Sequence, residues 1–194
     1  MKKIFCSLLL SAFAFANIGP QGFSEFNYNR YFVETGTYVG NGFKKALEAN
    51  FSHIYSIEIN KRLYNRYPSR FKKIDLSKVK LFLGDSSVDL FKMIKDINEP
   101  ITFWLDAHCC PARKDGGKNC PLVEELAQIG KHHIKNHTIL IDDMHCAGTV
   151  LFDDLTIEDI TREIHKINPD YKIKFVPGGD RGEYPVNVLV AQIH

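Results

Sequence analysis

Carboxylates recur at one kind of position in this sequence, the end of a short β-rich run. Glu34 lies near the end of the first run, Glu58 near the end of the second, and Asp85 just after the third. Asp106 closes the fourth and Asp142-Asp143 the fifth. In an open parallel α/β sheet, ligands bind beyond the carboxyl ends of the strands. The pattern therefore brings acids from five strands to one edge, where a cationic or hydroxyl-rich ligand fits. Asp106, Asp142 and Asp143 come from neighbouring ends and repel one another unless a cation or protons intervene. Such oxygen-rich sets suit Mg²⁺, Ca²⁺ or Mn²⁺. A metal there binds a substrate hydroxyl, lowers its pKa and holds it in line for transfer. The alternative at each place is an ordinary helix N-cap or turn acid.

A glycine turn follows the first run: Gly36-Thr37-Tyr38-Val39-Gly40-Asn41-Gly42. Glycines let the backbone turn tightly and approach a ligand, and the next helix offers free N–H groups. The spacing is neither the dinucleotide G-x-G-x-x-G nor a Walker loop. Taken alone, it also fits a tight turn without a ligand. Glu58 adds to it, because an acid ending the second strand suits the hydroxyls of a ribose.

A softer set, His108, Cys109, Cys110, Cys120, His145 and Cys146, lies near the same edge and has the ligand types of a Zn²⁺ site. It contains no C-x-x-C pair, so disulfides or unrelated loop cysteines are the competing reading. A Cys–His nucleophile pair has no third, orienting member in the sequence. Arg113, Lys114 and Lys118 make the long loop from His108 to Asn119 basic. That suits an anionic substrate or simply a solvated loop.

The elements that must position these residues are readable. Strands are expected at Tyr31–Thr35, His53–Ile59, Lys78–Leu83, Ile101–Asp106 and Thr138–Asp142. Helices are expected at Asn41–Asn50, Lys61–Lys72, Ser86–Ile97 and Pro121–Lys135, with Ser86 and Asp89 as a capping pair for the third. Their alternation argues for a parallel sheet covered on both faces. Ile157, Ile160, Ile164 and Ile167 form a last helical stripe. Two runs, Tyr171–Val176 and Val186–Ile193, then read as a closing hairpin. His132 and His133 read as solvated. Phe23, Phe26, Tyr28, Tyr31 and Phe32 read as cover for the edge of the core.

The chain has 194 residues, 44% apolar and 25% charged, with a formal net charge of +2. That is one globular domain rather than a disordered or fibrous chain. No basic block stands out, which disfavours nucleic acid as a partner. Lys2 and Lys3 precede an apolar run from Ile4 to Ala16 that ends in a small-x-small site. This is the pattern of a secretory signal peptide over residues 1–16, leaving residues 17–194 as a single domain. The run is too short for a comfortable transmembrane helix, so no stable span is expected after cleavage. The mature chain is then exported: periplasmic, secreted or in a secretory lumen. A buried N-terminal helix is the alternative and keeps it cytoplasmic. Cleavage removes Cys6 and leaves four cysteines, an even number that suits two disulfides in an oxidising compartment.

The order of elements, ending in a helix and an antiparallel hairpin, resembles the class I S-adenosylmethionine (SAM)-dependent methyltransferases. Phe32-Val33-Glu34-Thr35-Gly36 through Gly42 looks like their first motif. Glu58 matches the ribose acid, and Gly84-Asp85-Ser86 the adenine region. Phe103-Trp104-Leu105-Asp106-Ala107-His108, Cys120-Pro121-Leu122-Val123-Glu124-Glu125-Leu126 and Ile139-Leu140-Ile141-Asp142-Asp143 are similar to a poorly characterised bacterial branch. That branch resembles the metal-dependent sugar O-methyltransferases. The resemblance implies a three-layer Rossmann-like α/β fold with a mostly parallel seven-stranded sheet and a C-terminal antiparallel hairpin. It implies SAM bound by Glu34, Gly36, Thr37, Gly40, Gly42, Glu58, Asp85 and Ser86. It further implies Mg²⁺ or another divalent cation on Asp106, Asp142 and Asp143, with Asp106 or His108 as the base. The glycine motif departs from the commonest form by one extra residue between its first two glycines, and the chain lacks the family's frequent N-terminal extension.

The expected function is SAM-dependent, metal-assisted O-methylation of a sugar or another small hydroxylated acceptor. A leader and a cytosol-made cofactor pull against each other. The rival reading is therefore an exported binding domain on the same fold, its loop pinned by Cys109 or Cys110 with Cys120 or Cys146. A metal-dependent hydrolase would leave the glycine turn and Glu58 unexplained.

Overall fold

Period-two alternation in strands sends neighbouring side chains to opposite faces. Here both faces are apolar, so both are buried. Phe32, Ile54, Trp104, Leu140, Val188 and Val190 pack into one core layer. Val33, Ile57, Phe103, Leu105, Ile139, Ile141 and Leu189 pack into the other. The computed structural model describes residues 22–109, 117–178 and 184–193. The leader expected over residues 1–16, together with Cys110, Arg113 and Lys114, lies outside them.

The elements are β1 (Tyr31–Thr35), α1 (Asn41–Glu48), β2 (His53–Glu58), α2 (Lys61–Tyr64), α3 (Tyr67–Arg70), β3 (Val79–Leu83), α4 (Ser86–Ile94), β4 (Ile101–Leu105), α5 (Leu122–Gly130), β5 (Thr138–Ile141), α6 (Ile157–Ile167), β6 (Lys172–Gly178) and β7 (Tyr184–Gln192). The seven-stranded sheet runs β3-β2-β1-β4-β5-β7-β6. Strands β1 to β5 pair in parallel, and β7 pairs antiparallel with both β5 and β6. The α/β fold with its antiparallel C-terminal hairpin is as expected. The order reverses at β1–β4, the crevice where open sheets take ligands. Among the described residues no helix is long and apolar enough to cross a membrane.

Four local expectations are corrected. The helix expected over Lys61–Lys72 is two short ones, because Pro68 lacks the N–H that would bond the Tyr64 carbonyl and sits instead in the first turn of α3. The cap of α4 is Asp85, not Ser86: its Oδ1 accepts from Ser87 N at 2.9 Å, while Asp89 Oδ2 accepts from Asp85 N at 3.2 Å. Phe23, Phe26 and Phe32 are fully inside the core rather than covering its edge, whereas Tyr28 is exposed.

His132 is the fourth. It is buried, not solvated, because α5 ends at Gly130 and the following turn folds its ring back onto α4. Its Nε2 lies 3.1 and 3.0 Å from the Ile94 and Ile97 carbonyls, and its Nδ1 lies 3.1 Å from His137 Nε2. His137 Nδ1 in turn accepts from Ile101 N at 3.1 Å. The chain of partners fixes both rings as neutral Nε2–H tautomers. His133 remains exposed.

Candidate functional site

The turn after β1 is built by backbone contact. Gly36 sits at φ +81°, and a Cβ there would meet the Asp106 carbonyl oxygen at 2.4 Å. Gly36 N and Thr37 N both donate to the Ile57 carbonyl, at 3.0 and 3.1 Å. The bare Gly36 backbone thus presses the end of β1 against the end of β4. Glu34, Gly36, Thr37, Tyr38, Val39, Asn41, Gly42 and Asp106 line a shallow cleft that opens to solvent. Gly40, also left-handed, packs its bare backbone against Phe43 and Phe71 at the start of α1.

Glu34 is buried beneath this cleft. Ser56 Oγ donates to its carboxylate, and Thr37 Oγ1 lies 2.6 Å from Ser56 Oγ. Burial, against the Ser56 bond and with the nearby Glu58 charge, pushes the Glu34 carboxyl up to about 8. Glu58 ends β2 and clamps the turn. Its Oε2 accepts from Tyr38 N at 2.8 Å and from the Tyr67 hydroxyl at 3.1 Å, and its Oε1 accepts from Asn60 N at 2.7 Å. Each carboxylate oxygen accepts two bonds, so Oε1 keeps one acceptor position for a ligand. Asp85 and Ser86 stand beside it, because Gly84 N donates to the Glu58 carbonyl at 3.0 Å.

Reasoning from the acids missed an apolar ledge here. Ile59, Leu83 and Val88 are 66%, 44% and 58% exposed. They follow β2, end β3 and begin α4. An exposed Ile directly after a buried acid is the signal that could have found them. The outer wall, α2 and α3, carries exposed Lys61, Arg62, Arg66 and Arg70. It is a local basic concentration that the near-neutral total concealed.

The second constellation differs from the expected aspartate trio. Asp106, His108 and Asp143 each bring a ligand atom within 4.8 Å of the others. Asp142 is turned away. Its Oδ1 accepts from Asn187 Nδ2 at 2.9 Å and from Asp143 N at 2.8 Å. Asp143 reaches the site through a left-handed backbone, φ 54°. His108 Nε2 lies 3.1 Å from Asp143 Oδ2, and its Nδ1 lies 3.8 Å from Asp106 Oδ1. The His108 side chain is only 4% exposed, yet Nε2 has no properly aligned hydrogen-bond partner. Burial, then the Asp143 and Glu34 charges, push Asp106 well above the carboxylate range. Burial and the Asp106 charge do the same to Asp142. Burial also pushes Asp143 up, but His108 and His145 outweigh it and hold this carboxyl below its ordinary value. A buried carboxyl pushed toward neutrality, a second carboxylate and a buried imidazole, all within reach of one point, fit a divalent cation.

The zinc set does not assemble. Among the described residues, Cys109, Cys120, Cys146 and His145 join no metal-ligand group. Cys109 and Cys120 are free thiols, so neither forms an expected disulfide, and the pairings expected through Cys110 lie outside the described residues. Burial pushes Cys120 up to about 12, which makes it an inert core thiol. The loop base is held instead by Asp153, which accepts from Asn119 N, Asn119 Nδ2 and Cys120 N at 2.9 to 3.1 Å. A smaller cleft behind His108 contains Glu125, also missed as a separate site residue. Burial pushes it up to about 7 despite the Ser86 and Thr35 hydroxyls.

No family model matches the sequence, and no curated protein matches it. Solved structures do match in shape. One is the O-methyltransferase TomG of Streptomyces achromogenes, involved in tomaymycin synthesis and solved with SAM. It is 13% identical with a TM-score of 0.59, over 88% of this chain and 75% of that one. Another is the methyltransferase PaMTH1 of Podospora anserina bound to S-adenosylhomocysteine (SAH), 16% identical with a TM-score of 0.57, over 88% and 74%. The spermidine synthase of Thermotoga maritima is 9% identical with a TM-score of 0.58, over 89% and 56%. The chain has the class I methyltransferase fold, a fold shared by enzymes that transfer different groups.

Proposed function

We propose that this protein transfers a methyl group from SAM to an oxygen of a small hydroxylated acceptor, a sugar being the expected class, with the help of a divalent cation. The observation that carries the reading is the cleft under the Gly36 turn. It is cradled by backbone, floored by Glu34, and adjoins Glu58 and an exposed apolar ledge. That sequence of surfaces suits an amino acid head, a ribose and a flat base in order.

SAM supplies an electrophilic methyl on a positively charged sulfur. Glu34 and the Gly36–Gly42 backbone would hold its methionine part, Glu58 Oε1 a ribose hydroxyl, and Ile59, Leu83 and Val88 the base, with Asp85 at its edge. The cation supplies Lewis acidity and a fixed point for the acceptor. Asp106, His108 and Asp143 would hold it. Asn187 keeps Asp142 out of that set and steadies Asp143 through a 3.4 Å contact. With His108 engaged, the acceptor hydroxyl, made more acidic by the cation, would lose its proton to solvent as its oxygen takes the methyl and SAH leaves, so alignment of acceptor and methyl matters more than a separate base.

SAH release, measured over a panel of sugars and phenols with and without divalent cations, tests this. The expected result is acceptor-dependent release that Asp106→Asn abolishes while SAM binding persists. Release insensitive to Asp106→Asn would remove the cation from the mechanism. Absence of SAM binding by the folded protein would remove the function itself.

A further inference from the structure

We infer that the cation held by Asp106, His108 and Asp143 is a transition-series ion, of the manganese, iron, cobalt or zinc kind, rather than magnesium or calcium. The inference rests on the metal-assisted reading above and deepens it. An all-aspartate site would favour the hard alkaline-earth ions, which take oxygen ligands. In this fold Asp142 is withdrawn by Asn187 and by its own neighbour's N–H, and an imidazole stands in its place. Nitrogen donors suit the transition ions.

Three observations place His108 in the set. Its Nε2 lies against Asp143 without the alignment of a hydrogen bond, and a nitrogen on so buried a side chain needs a well-directed partner. The ring packs 5.0 Å from Phe152, which limits its freedom to turn elsewhere. The 3.1 Å between Nε2 and Asp143 Oδ2 is also the right spacing. Two donors about 2.1 Å from one ion and at right angles to each other lie about 3.0 Å apart. Two carboxylates with a neutral imidazole also balance a dication without the excess negative charge of three buried aspartates.

Almost any mixed nitrogen and oxygen site favours transition ions to some degree, so the test is a change in preference. Metal-stripped protein is titrated with Co²⁺ and with Mg²⁺ by calorimetry, alongside His108→Asp, with folding checked by circular dichroism. The expected result is that His108→Asp lowers the Co²⁺-over-Mg²⁺ affinity ratio at least tenfold. An unchanged ratio overturns the inference. The unmodified protein gives an independent reading if the variant does not fold. Its Co²⁺ complex should show a strongly shifted, exchangeable imidazole N–H proton by NMR. A Co²⁺ complex without that proton overturns the inference while leaving the cation site standing. If neither ion binds, both the inference and the metal-assisted reading fail, whatever SAM does.

Discussion

Glu34→Gln should stabilise the unliganded protein, and the gain should grow with pH. The folded carboxyl titrates near 8, against 4.5 for the unperturbed group. Between those values the folded state binds more protons than the unfolded one, so stability falls as pH rises. Below pH 4.5 both states are protonated and the effect vanishes. At about 1.4 kcal/mol per pKa unit, the wild type loses about 2.5 kcal/mol at this group between pH 5 and pH 7. Glutamine keeps an oxygen to accept the Ser56 bond and has no proton to lose. Any fixed packing cost of the amide cancels in the comparison of two pH values. Urea denaturation at pH 5 and pH 7 should therefore show the variant gaining about 2.5 kcal/mol relative to wild type across that interval. SAM affinity should fall in the same variant, because the carboxylate floors the cleft. An equal stability difference at both pH values would refute the burial argument for Glu34.

Other consequences are as concrete. Burial lowers His137 to about 3, so the unfolded state binds more protons below the ordinary imidazole value of 6.5. Stability is intact above that value and is lost as pH falls toward the folded one. Imidazole ¹⁵N shifts should keep the neutral Nε2–H pattern from pH 8 down to pH 4, and protonation of the folded protein near pH 6 would contradict this. Gly36→Val should destabilise the fold by at least about 2 kcal/mol, because its Cβ collides with backbone and its φ is left-handed. A stable, SAM-binding variant would mean that the turn is misplaced. Asp153→Ala should cost about 2–3 kcal/mol by stranding the Asn119 and Cys120 N–H groups and should speed proteolysis of the neighbouring loop. Unchanged denaturation and cleavage would deny that Asp153 holds the loop base.

Much of this molecule is written locally. Tyr31–Thr35 is legible as a strand because its residues suit a buried pleat, and Glu34, Glu58 and Asp106 fall at strand ends because the apolar runs stop there. The candidate trio of Asp106, His108 and Asp143 was less legible. Asp142 and Asp143 are adjacent, and adjacency suggested a shared target. Backbone alternation sends neighbours to different places, and only the Asp143 φ of 54° and the Asn187 contact from a distant strand decide which one faces the site. His108 was visible as chemistry but not as the neighbour of Asp106 and Asp143, since that depends on where the chain goes after Asp106. His132 misled because a polar stretch continues the α5 pattern in sequence, while the helix stops at Gly130. Ile59 was hidden for the opposite reason: it continues the alternation of Tyr55 and Ile57 and reads as the last residue of a strand that in fact ends at Glu58.

The central claim is that the cleft between the Gly36 turn and Glu58 binds SAM. Calorimetric titration of the protein with SAM and SAH, repeated on Glu58→Gln, tests it most directly. One saturable site for both compounds, weakened in the variant, is the predicted result. No heat and no saturation with a demonstrably folded protein would contradict the account and leave the fold without its transfer chemistry.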